Sequence, residues 1–280
     1  MTLRRSLLSI LALAAFSPAA AAQDDFHILV TNDDGIESPG IQMLAEALRA
    51  VGTVHVVAPC GQRSGASMSV SLGSSIEVRD IDEDGVSGTC ADTTPANAVM
   101  LAIAAMAPEG GFDLVVSGIN AGANIGYASH MSGTVGAAMM GALYEVPAVA
   151  ASLGGRNRDF AYPAAFVAEF VRELKTKPAT PGVVFNVNVP TSDATAIEGI
   201  TVAPMGGFSY VLGYEEVEGE GAARRFDASI SLATEAPAGS DTEAFMGNHI
   251  TITPLVFDWT AHSLLDGMRA WSLDHEVGRD

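Results

Sequence analysis

Apolar runs of strand length alternate with segments of helical spacing through the first two thirds of the chain. The helical segments repeat their apolar residues every three or four positions, whereas the runs between them are short and almost continuously apolar. This alternation favours an α/β protein with a mostly parallel sheet flanked by helices. The predicted strands cover residues 26–30, 53–59, 112–117, 146–152 and 183–189, and the predicted helices cover 39–50, 94–106, 132–144 and 159–175.

Two parts of the chain depart from that alternation. Residues 76–92 predict one strand followed by a polar, acidic loop. Beyond residue 199, strands and turns replace helices, and the Gly- and Glu-rich stretch 206–235 is typical of a solvated arm or hairpin. Residues 250–255 alternate like a strand, and 260–270 predict a terminal helix. The sequence therefore predicts a C-terminal β-rich extension.

The first 22 residues differ in composition from the rest. A basic start precedes an apolar stretch, and Ala20–Ala22 supplies a small-residue cleavage site, as in a secretory signal peptide. A packed N-terminal helix is the alternative. We expect a signal peptide at 1–22 and export, most simply to a periplasm. The remaining residues, 23–280, predict a single domain with a core of about 23–195 and a β-rich arm and tail of about 196–280.

Charge limits the classes of partner. The 280 residues include 33 acidic and 14 basic side chains, which gives a formal net charge of −19. Binding to a phosphate backbone requires a basic surface, so we expect no nucleic acid polymer as partner. No stretch reaches the roughly 20 apolar residues of a membrane span, so no membrane association is expected after signal cleavage.

Two adjacent carboxylates end the first predicted strand. Asp33 and Asp34 follow the apolar run, Gly35 permits a sharp turn, and Ser38 before Pro39 has the form of a helix N-cap. Ligands of open α/β folds bind at the carboxyl ends of the strands. Because neighbouring carboxylates repel each other unless a cation shares them, we expect a hard divalent metal ion here.

Three further polar loops follow predicted strands or begin a predicted helix. They contain Arg63 and Ser64, Asn120 to Asn124, and the run Ser132–Gly133–Thr134. Each loop alone has an ordinary structural explanation as a turn or a cap. Together their carboxylate, hydroxyl and amide oxygens suit Mg²⁺ or Mn²⁺, and a helix beginning at Ser132–Gly133–Thr134 suits a phosphate group. Arg63 is the cation expected to assist in holding that anion.

The order of these motifs resembles the SurE family of survival proteins, which are metal-dependent 5′/3′-nucleotidases and, in some members, acid phosphatases. The resemblance covers nearly the whole chain after residue 22, and the opening motif together with Ser117–Gly118–Ile119–Asn120 is highly specific. It is carried by the segments 28–42, 58–59, 63–67, 113–120, 132–135, 186–190, 241–242 and 251–255.

The resemblance implies a Rossmann-like core, a homodimer or homotetramer reached through the C-terminal extension, and a nucleoside monophosphate or other phosphomonoester as substrate. It also implies a Mg²⁺ or Mn²⁺ cofactor held by Asp33, Asp34, Ser64 and Asn120. Together with the residue chemistry above, the resemblance leads to the hypothesis that Asp33 or Asp34 is also the general base. The substrate would be bound by Arg63, Asn124 and the hydrogen-bond donors of Ser132, Gly133 and Thr134.

Several positions depart from the family pattern, beside the signal peptide. Asn97 stands where an acidic residue is usual, Met140 replaces a common glutamate, and Cys60 replaces a polar or acidic residue. Cys60 and Cys90 are the two cysteines, and the sequence leaves open whether they form a disulfide or stay unpaired. A disulfide would hold the predicted 82–92 loop over the metal site.

Two other functions remain open. An Asp could act as a covalent nucleophile, as in aspartyl-phosphate phosphatases. Alternatively, the protein could be an exported phosphate- or nucleotide-binding or structural oligomer without catalysis. A P-loop nucleotide-binding protein is excluded because the sequence has no Gly-Lys-Ser/Thr motif.

Overall fold

The computed structural model describes residues 26–83, 85–178, 180–208, 210–218 and 223–271. The predicted signal peptide lies outside these residues. The strands are β1 His27–Thr31, β2 Thr53–Pro59, β3 Val78–Glu83, β4 Val86–Ala91, β5 Leu114–Asn120, β6 Ala148–Leu153, β7 Val183–Val189, β8 Gly199–Val202, β9 Tyr210–Val217, β10 Arg225–Leu232 and β11 His249–Val256. The α-helices are α1 Pro39–Leu48, α2 Pro95–Leu101, α3 Gly133–Leu143, α4 Ala161–Lys175, α5 Asp241–Met246 and α6 His262–Arg269.

The described strands form a nine-stranded sheet and a separate hairpin. The order across the large sheet is β3-β4-β2-β1-β5-β6-β7-β11-β8. The central run from β4 to β7 is parallel throughout, and antiparallel pairs occur at β3–β4 and β7–β11. This arrangement confirms the predicted mostly parallel α/β fold.

The two faces of the sheet carry separate apolar clusters because side chains alternate along each strand. In β1, Ile28 and Val30 belong to the cluster shared with α1 and α4, whereas Leu29 belongs to the cluster shared with α2 and α3. All three side chains are fully buried. Helices on both faces therefore fix the position of β1, whose carboxyl end carries the two acidic residues.

The predicted acidic loop at 82–92 is wrong, because most of it is strand β4. This strand pairs antiparallel with β3 and parallel with β2, so it is held on both sides. Its sequence, Val-Ser-Gly-Thr-Cys-Ala, has few bulky apolar residues to indicate a strand. Tertiary pairing outweighs that weak local preference.

Two other predicted element boundaries differ from those in the structure. The helix predicted over 94–106 is α2 followed by a π-helical turn at Ala102–Met106, and β5 extends through Gly118 to Asn120. A Cβ at Gly118 would lie 2.3 Å from the carbonyl oxygen of Ala151, so only glycine allows β5 to continue beside β6 there. Asn120 is consequently the last residue of a strand and not part of a free loop.

The C-terminal part divides between the sheet and the hairpin. Strands β9 and β10 pair antiparallel and form the predicted hairpin, separate from the main sheet. Strands β8 and β11 instead join the main sheet, where β11 pairs with β7. None of the described helices combines the length and the apolar character that crossing a membrane requires.

Candidate functional site

The turn after β1 is built around Asn32, a residue to which sequence reasoning assigned no role. Its side-chain amide donates to the carbonyl of Gly35 at 2.9 Å and to Oγ of Ser38 at 2.8 Å, and its Oδ1 accepts from the Gly35 amide at 3.2 Å. Gly35 has φ +98°, which favours glycine. The Ser38 hydroxyl thus braces the turn and makes no side-chain cap to α1. The predicted Ser38 cap is wrong in that respect.

Asp33 is buried between this turn and the first turn of α3. Only 3% of its surface is exposed, and its Oδ1 accepts a hydrogen bond from the Thr134 hydroxyl at 2.5 Å. The pKa of Asp33 is raised to about 6, chiefly by burial; the hydrogen bond from the Thr134 hydroxyl opposes the rise, and the charge of Asp34 contributes to it. A carboxylate in this environment is stabilised by a nearby cation.

Gly133 permits the close approach of α3 to Asp33. A Cβ at this position would lie 2.8 Å from Cβ of Asp33 and 2.9 Å from its Oδ2. Ser132 caps the helix, because its Oγ accepts from the amide of Val135 at 3.1 Å. The Thr134 hydroxyl donates to Asp33, whereas the Ser132 hydroxyl only accepts and keeps its own hydrogen as a donor. The predicted phosphate contact at this helix start, through backbone amides and the Ser132 hydroxyl, stays a prediction.

Asp34 and Asn120 lie at the ends of neighbouring strands. Strands β1 and β5 are parallel neighbours, and Oδ2 of Asp34 accepts from the amide of Ala121 at 3.0 Å. The side-chain nitrogen of Asn120 donates to the carbonyl of Gly122 at 2.7 Å. Because this bond uses the donor end of the amide, the Asn120 oxygen remains as an acceptor for a cation.

The loop after β2 is tied to the same turn by its backbone. The amide of Arg63 donates to the carbonyl of Asp33 at 2.7 Å, which brings Arg63 and the exposed Ser64 to the edge where Asp33 lies. The Arg63 guanidinium forms an ion pair with Asp92 at 2.8 Å. Sequence reasoning treated Arg63 as a cation for the substrate anion; in the structure its charge is shared with Asp92.

A disulfide joins the same loop to β4. The sulfur atoms of Cys60 and Cys90 are bonded, and the amide of Cys60 donates to the carbonyl of Ala91 at 3.1 Å. The disulfide answers the question that the sequence left open. It connects the segment leading to Ser64 with strand β4 of the sheet and not with the predicted 82–92 loop.

Asn124 is held by polar side chains of the sheet. Its side-chain nitrogen donates to Oγ of Ser152 at 2.9 Å, and its backbone amide donates to Oδ1 of Asn188 at 2.7 Å. Its carbonyl accepts from Asn186 at 2.8 Å. These bonds give Asn124 a positioning role for the 120–126 loop, and its predicted contact with substrate stays a prediction.

Asp241 anchors the other end of that loop, and sequence reasoning missed this role. The carboxylate is fully buried and accepts from the amides of Gly126 at 2.9 Å and Gly206 at 3.0 Å. Asp241 lies at the start of α5, 115 residues beyond Gly126, so no local sequence pattern predicts this contact. The presence of Asp241–Thr242 among the segments that resemble the family was the one sequence feature that indicated a role for Asp241.

The two departures at Asn97 and Met140 are buried away from solvent. Asn97 is fully buried near the start of α2 and donates to the Thr93 hydroxyl at 2.9 Å. Met140 is 5% exposed and belongs to the apolar cluster beneath α3. Met140 therefore fits its apolar surroundings, whereas the Asn97 Oδ1 is buried without a hydrogen-bond partner among the described residues.

The oxygen donors at this edge fit a hard divalent ion. In the described part of the chain, no three His, Cys, Asp or Glu side chains come together as a metal cage. The two carboxylates Asp33 and Asp34 would therefore be complemented by the amide oxygen of Asn120 and the hydroxyl of Ser64, a set typical of Mg²⁺ or Mn²⁺. This ligand set stays a prediction.

Comparison with known proteins confirms the resemblance. The family model described as "Survival protein SurE" matches residues 28–211. A protein named 5′-nucleotidase SurE from Myxococcus xanthus is 39% identical over 253 residues, which are 89% of this chain and 94% of that protein. The 5′-nucleotidase SurE of Rhodopirellula baltica is 35% identical over 250 residues, covering 88% and 99% of the two chains.

A solved structure has the same architecture. The crystal structure of the SurE protein from Aquifex aeolicus matches with a TM-score of 0.77 and 31% identity, and the match covers 87% of this chain and 98% of that one. Sequence and structure agree over most of the described residues. The chain therefore belongs to the SurE family.

Proposed function

We propose that the protein is a metal-dependent phosphomonoesterase that hydrolyses nucleoside 5′- and 3′-monophosphates to nucleoside and phosphate. The observation that carries the proposal is the buried Asp33, which lies beside Asp34 and within hydrogen-bonding distance of Thr134. The relatives named 5′-nucleotidase SurE support the nucleotide as substrate. Acid phosphatase activity on other phosphomonoesters is included in the proposal.

In this proposal, Asp33, Asp34, Asn120 and Ser64 hold the divalent ion. When bound, Mg²⁺ or Mn²⁺ supplies Lewis-acid polarisation of the phosphoryl group. The Thr134 hydroxyl and the Ala121 amide each occupy one oxygen of a carboxylate. One of the two remaining oxygens, on Asp33 or on Asp34, would bind the ion, and the other would accept a proton from the attacking water as general base.

Backbone donors orient the phosphate. The α3 N-terminus points toward Asp33, and its partial positive charge favours an anion. Arg63 contributes charge at the rim of the site while it remains paired with Asp92. Asn124 positions the loop that carries Asn120 through its bonds to the sheet.

Phosphate release from the purified protein tests the function. AMP and 3′-AMP should release phosphate with Mg²⁺ or Mn²⁺, EDTA should abolish the release, and added metal ion should restore it. If the protein binds Mg²⁺ but releases phosphate from no monophosphate, the non-catalytic binding protein is correct. An acid-stable phosphoenzyme in a rapid quench would instead favour an aspartyl nucleophile.

We further propose a homodimer or homotetramer and export to the periplasm. The hairpin supports the first proposal because it exposes large apolar side chains, including Leu212, Tyr214, Phe226 and Ile230. The composition of residues 1–22 supports the second. Light scattering of the purified protein tests the oligomer, and N-terminal sequencing of periplasmic material should find Gln23 as the first residue.

A further inference from the structure

Two histidine side chains contact each other at the amino end of the parallel strands, opposite the end that carries Asp33. His27 begins β1, and His55 lies in the neighbouring strand β2. The strands are parallel and Leu29 pairs with His55, so His27 and His55 are diagonal neighbours. Residues two apart in a strand share a face, so both rings lie on the face of Leu29 and Val57, which α2 and α3 cover.

The facing nitrogens of the two rings have a spacing that suits a shared metal ion. Nδ1 of His27 lies 3.1 Å from Nε2 of His55. Histidine nitrogens bind Zn²⁺ at about 2.0–2.1 Å, so two of them in a tetrahedral shell are about 3.3 Å apart. A separation of the rings by a few tenths of an ångström would therefore admit the ion.

The protonation of the pair also allows a metal ion. When both rings are neutral, their contact is a hydrogen bond in which one facing nitrogen carries the hydrogen and the other accepts it. A metal ion requires a lone pair on both facing nitrogens. The donor ring can carry its one hydrogen on its outer nitrogen instead, because neutral imidazole has two tautomers. The neutral pair can thus bind an ion without a net loss of a proton.

Packing positions the rings, and solvent reaches them. The His55 ring packs edge-on against Phe112 with the ring centroids 5.4 Å apart, and the backbone amide of His27 donates to the Asp113 carboxylate at 2.7 Å. Both histidines are half-buried, and His55 also lines a cavity of about 240 Å³. An ion can therefore enter from solvent and meet two ligands that the sheet already holds together.

The ligand chemistry selects a transition-metal ion. Imidazole nitrogen suits Zn²⁺, Cu²⁺ or Ni²⁺, whereas Mg²⁺ and Mn²⁺ prefer oxygen. Of the residues that the structure describes, none adds a third His, Cys, Asp or Glu ligand, so water would complete the shell. Arg49, which lines the cavity next to His55, is ion-paired with Glu46, and the net charge of −19 attracts cations.

We propose that His27 and His55 bind a divalent transition-metal ion of the Zn²⁺ or Cu²⁺ type, at a site separate from the proposed catalytic ion. The ion joins β1 to β2 at the amino end of the sheet. It stabilises the folded protein, because the unfolded chain does not hold the two rings side by side. The proposal does not depend on the phosphomonoesterase function, since Asp33 and its neighbours lie at the other end of β1.

Calorimetric titration with Zn²⁺ tests the site, with excess Mg²⁺ present to compete for the oxygen ligands at Asp33. His27→Gln and His55→Gln should each lower the Zn²⁺ affinity at least about tenfold, since loss of a mere supporting contact of a ligand already costs about 10–100-fold. His130→Gln is the matched control, because His130 is exposed and its ring contacts Trp259. Zn²⁺ should raise the urea midpoint of the wild type and of this control, but not that of either variant.

Bound Cu²⁺ gives a spectroscopic signature of the ligands. Nitrogen ligands split its electron paramagnetic resonance signal, and an oxygen-only shell does not. The wild type with substoichiometric Cu²⁺ should show coupling to two imidazole nitrogens, and each His variant to fewer. Wild-type Zn²⁺ affinity in either variant, or a wild-type Cu²⁺ spectrum without nitrogen coupling, overturns the proposal. Neither measurement requires phosphate release, so a failure here is distinct from a failure of the proposed function.

Discussion

The Thr134 hydroxyl lies 2.5 Å from Oδ1 of Asp33, and this hydrogen bond joins the first turn of α3 to the end of β1. Both side chains are buried, so water does not replace either partner. The bond opposes the rise that burial causes in the pKa of Asp33. Thr134 therefore keeps a buried carboxylate closer to its ionised form.

Thr134→Val removes the hydroxyl and retains the shape of the side chain. Asp33 then loses a buried hydrogen-bond donor, so its pKa should rise further. Because a hydrogen bond to a charged group contributes about 1.5–3 kcal/mol, phosphate release from AMP should fall by at least about tenfold. Thr134→Ser retains the hydroxyl and should keep most of the activity. Equal activity in the Val and Ser variants would contradict this role for the hydroxyl.

Gly133→Ala should damage the site by contact. The added Cβ would meet the Asp33 side chain at 2.8 Å, and overpacking of this kind costs about 1–3 kcal/mol. We expect a lower free energy of unfolding in urea and a loss of phosphate release. Gly267→Ala is the matched control, because a Cβ on that residue of α6 meets nothing within 4 Å. A Gly133→Ala protein with the stability and activity of this control would refute the contact argument.

The disulfide should stabilise the fold and the loop that carries Ser64. Cys60 and Cys90 are 30 residues apart, and replacing both by Ala should lower the free energy of unfolding by about 2–4 kcal/mol. Thiol labelling of the unreduced protein should be negative, and a reductant should shift its denaturation midpoint but not that of the variant. Two reactive thiols without reductant would show that the bond is absent in solution.

His55 should make stability depend on pH below neutrality. Burial lowers its pKa, and the adjacent His27, whose Nδ1 lies 3.1 Å from Nε2 of His55, lowers it further. As pH falls through about 6.5, the unfolded chain binds a proton that folded His55 resists, so stability is lost. Urea unfolding between pH 7.5 and 5 should show a shallower decline for His55→Gln. An identical slope in both proteins would exclude His55 as the cause.

Local patterns predicted the parts of the fold that local physics determines. The apolar runs of β1, β5 and β6 are buried on both faces, and such strands are recognisable without their neighbours. Strand β4 was not predicted because its residues are small and polar, and it is pairing with β2 and β3 that stabilises it as a strand. Its existence depends on tertiary contacts that a local pattern does not contain.

The residues of the candidate site also divide into those that a local pattern predicts and those that depend on distant contacts. Asp33 and Asp34 were predicted because a charged pair interrupts an apolar strand. Asp241 was missed because its contact with Gly126 spans 115 residues. The alternation of Asn186 and Asn188 in an otherwise apolar strand was a usable signal for the polar network that holds Asn124, because two amides on one buried face require partners.

Phosphate release by Asp33→Asn is the most direct test of the central claim that Asp33 is the carboxylate on which hydrolysis depends. Asn keeps the size of Asp33 and can still accept from Thr134, so the fold and its cooperative unfolding should be preserved. Release from AMP with Mg²⁺ or Mn²⁺ should fall to background. A folded Asp33→Asn protein that releases phosphate at the wild-type rate would contradict the account.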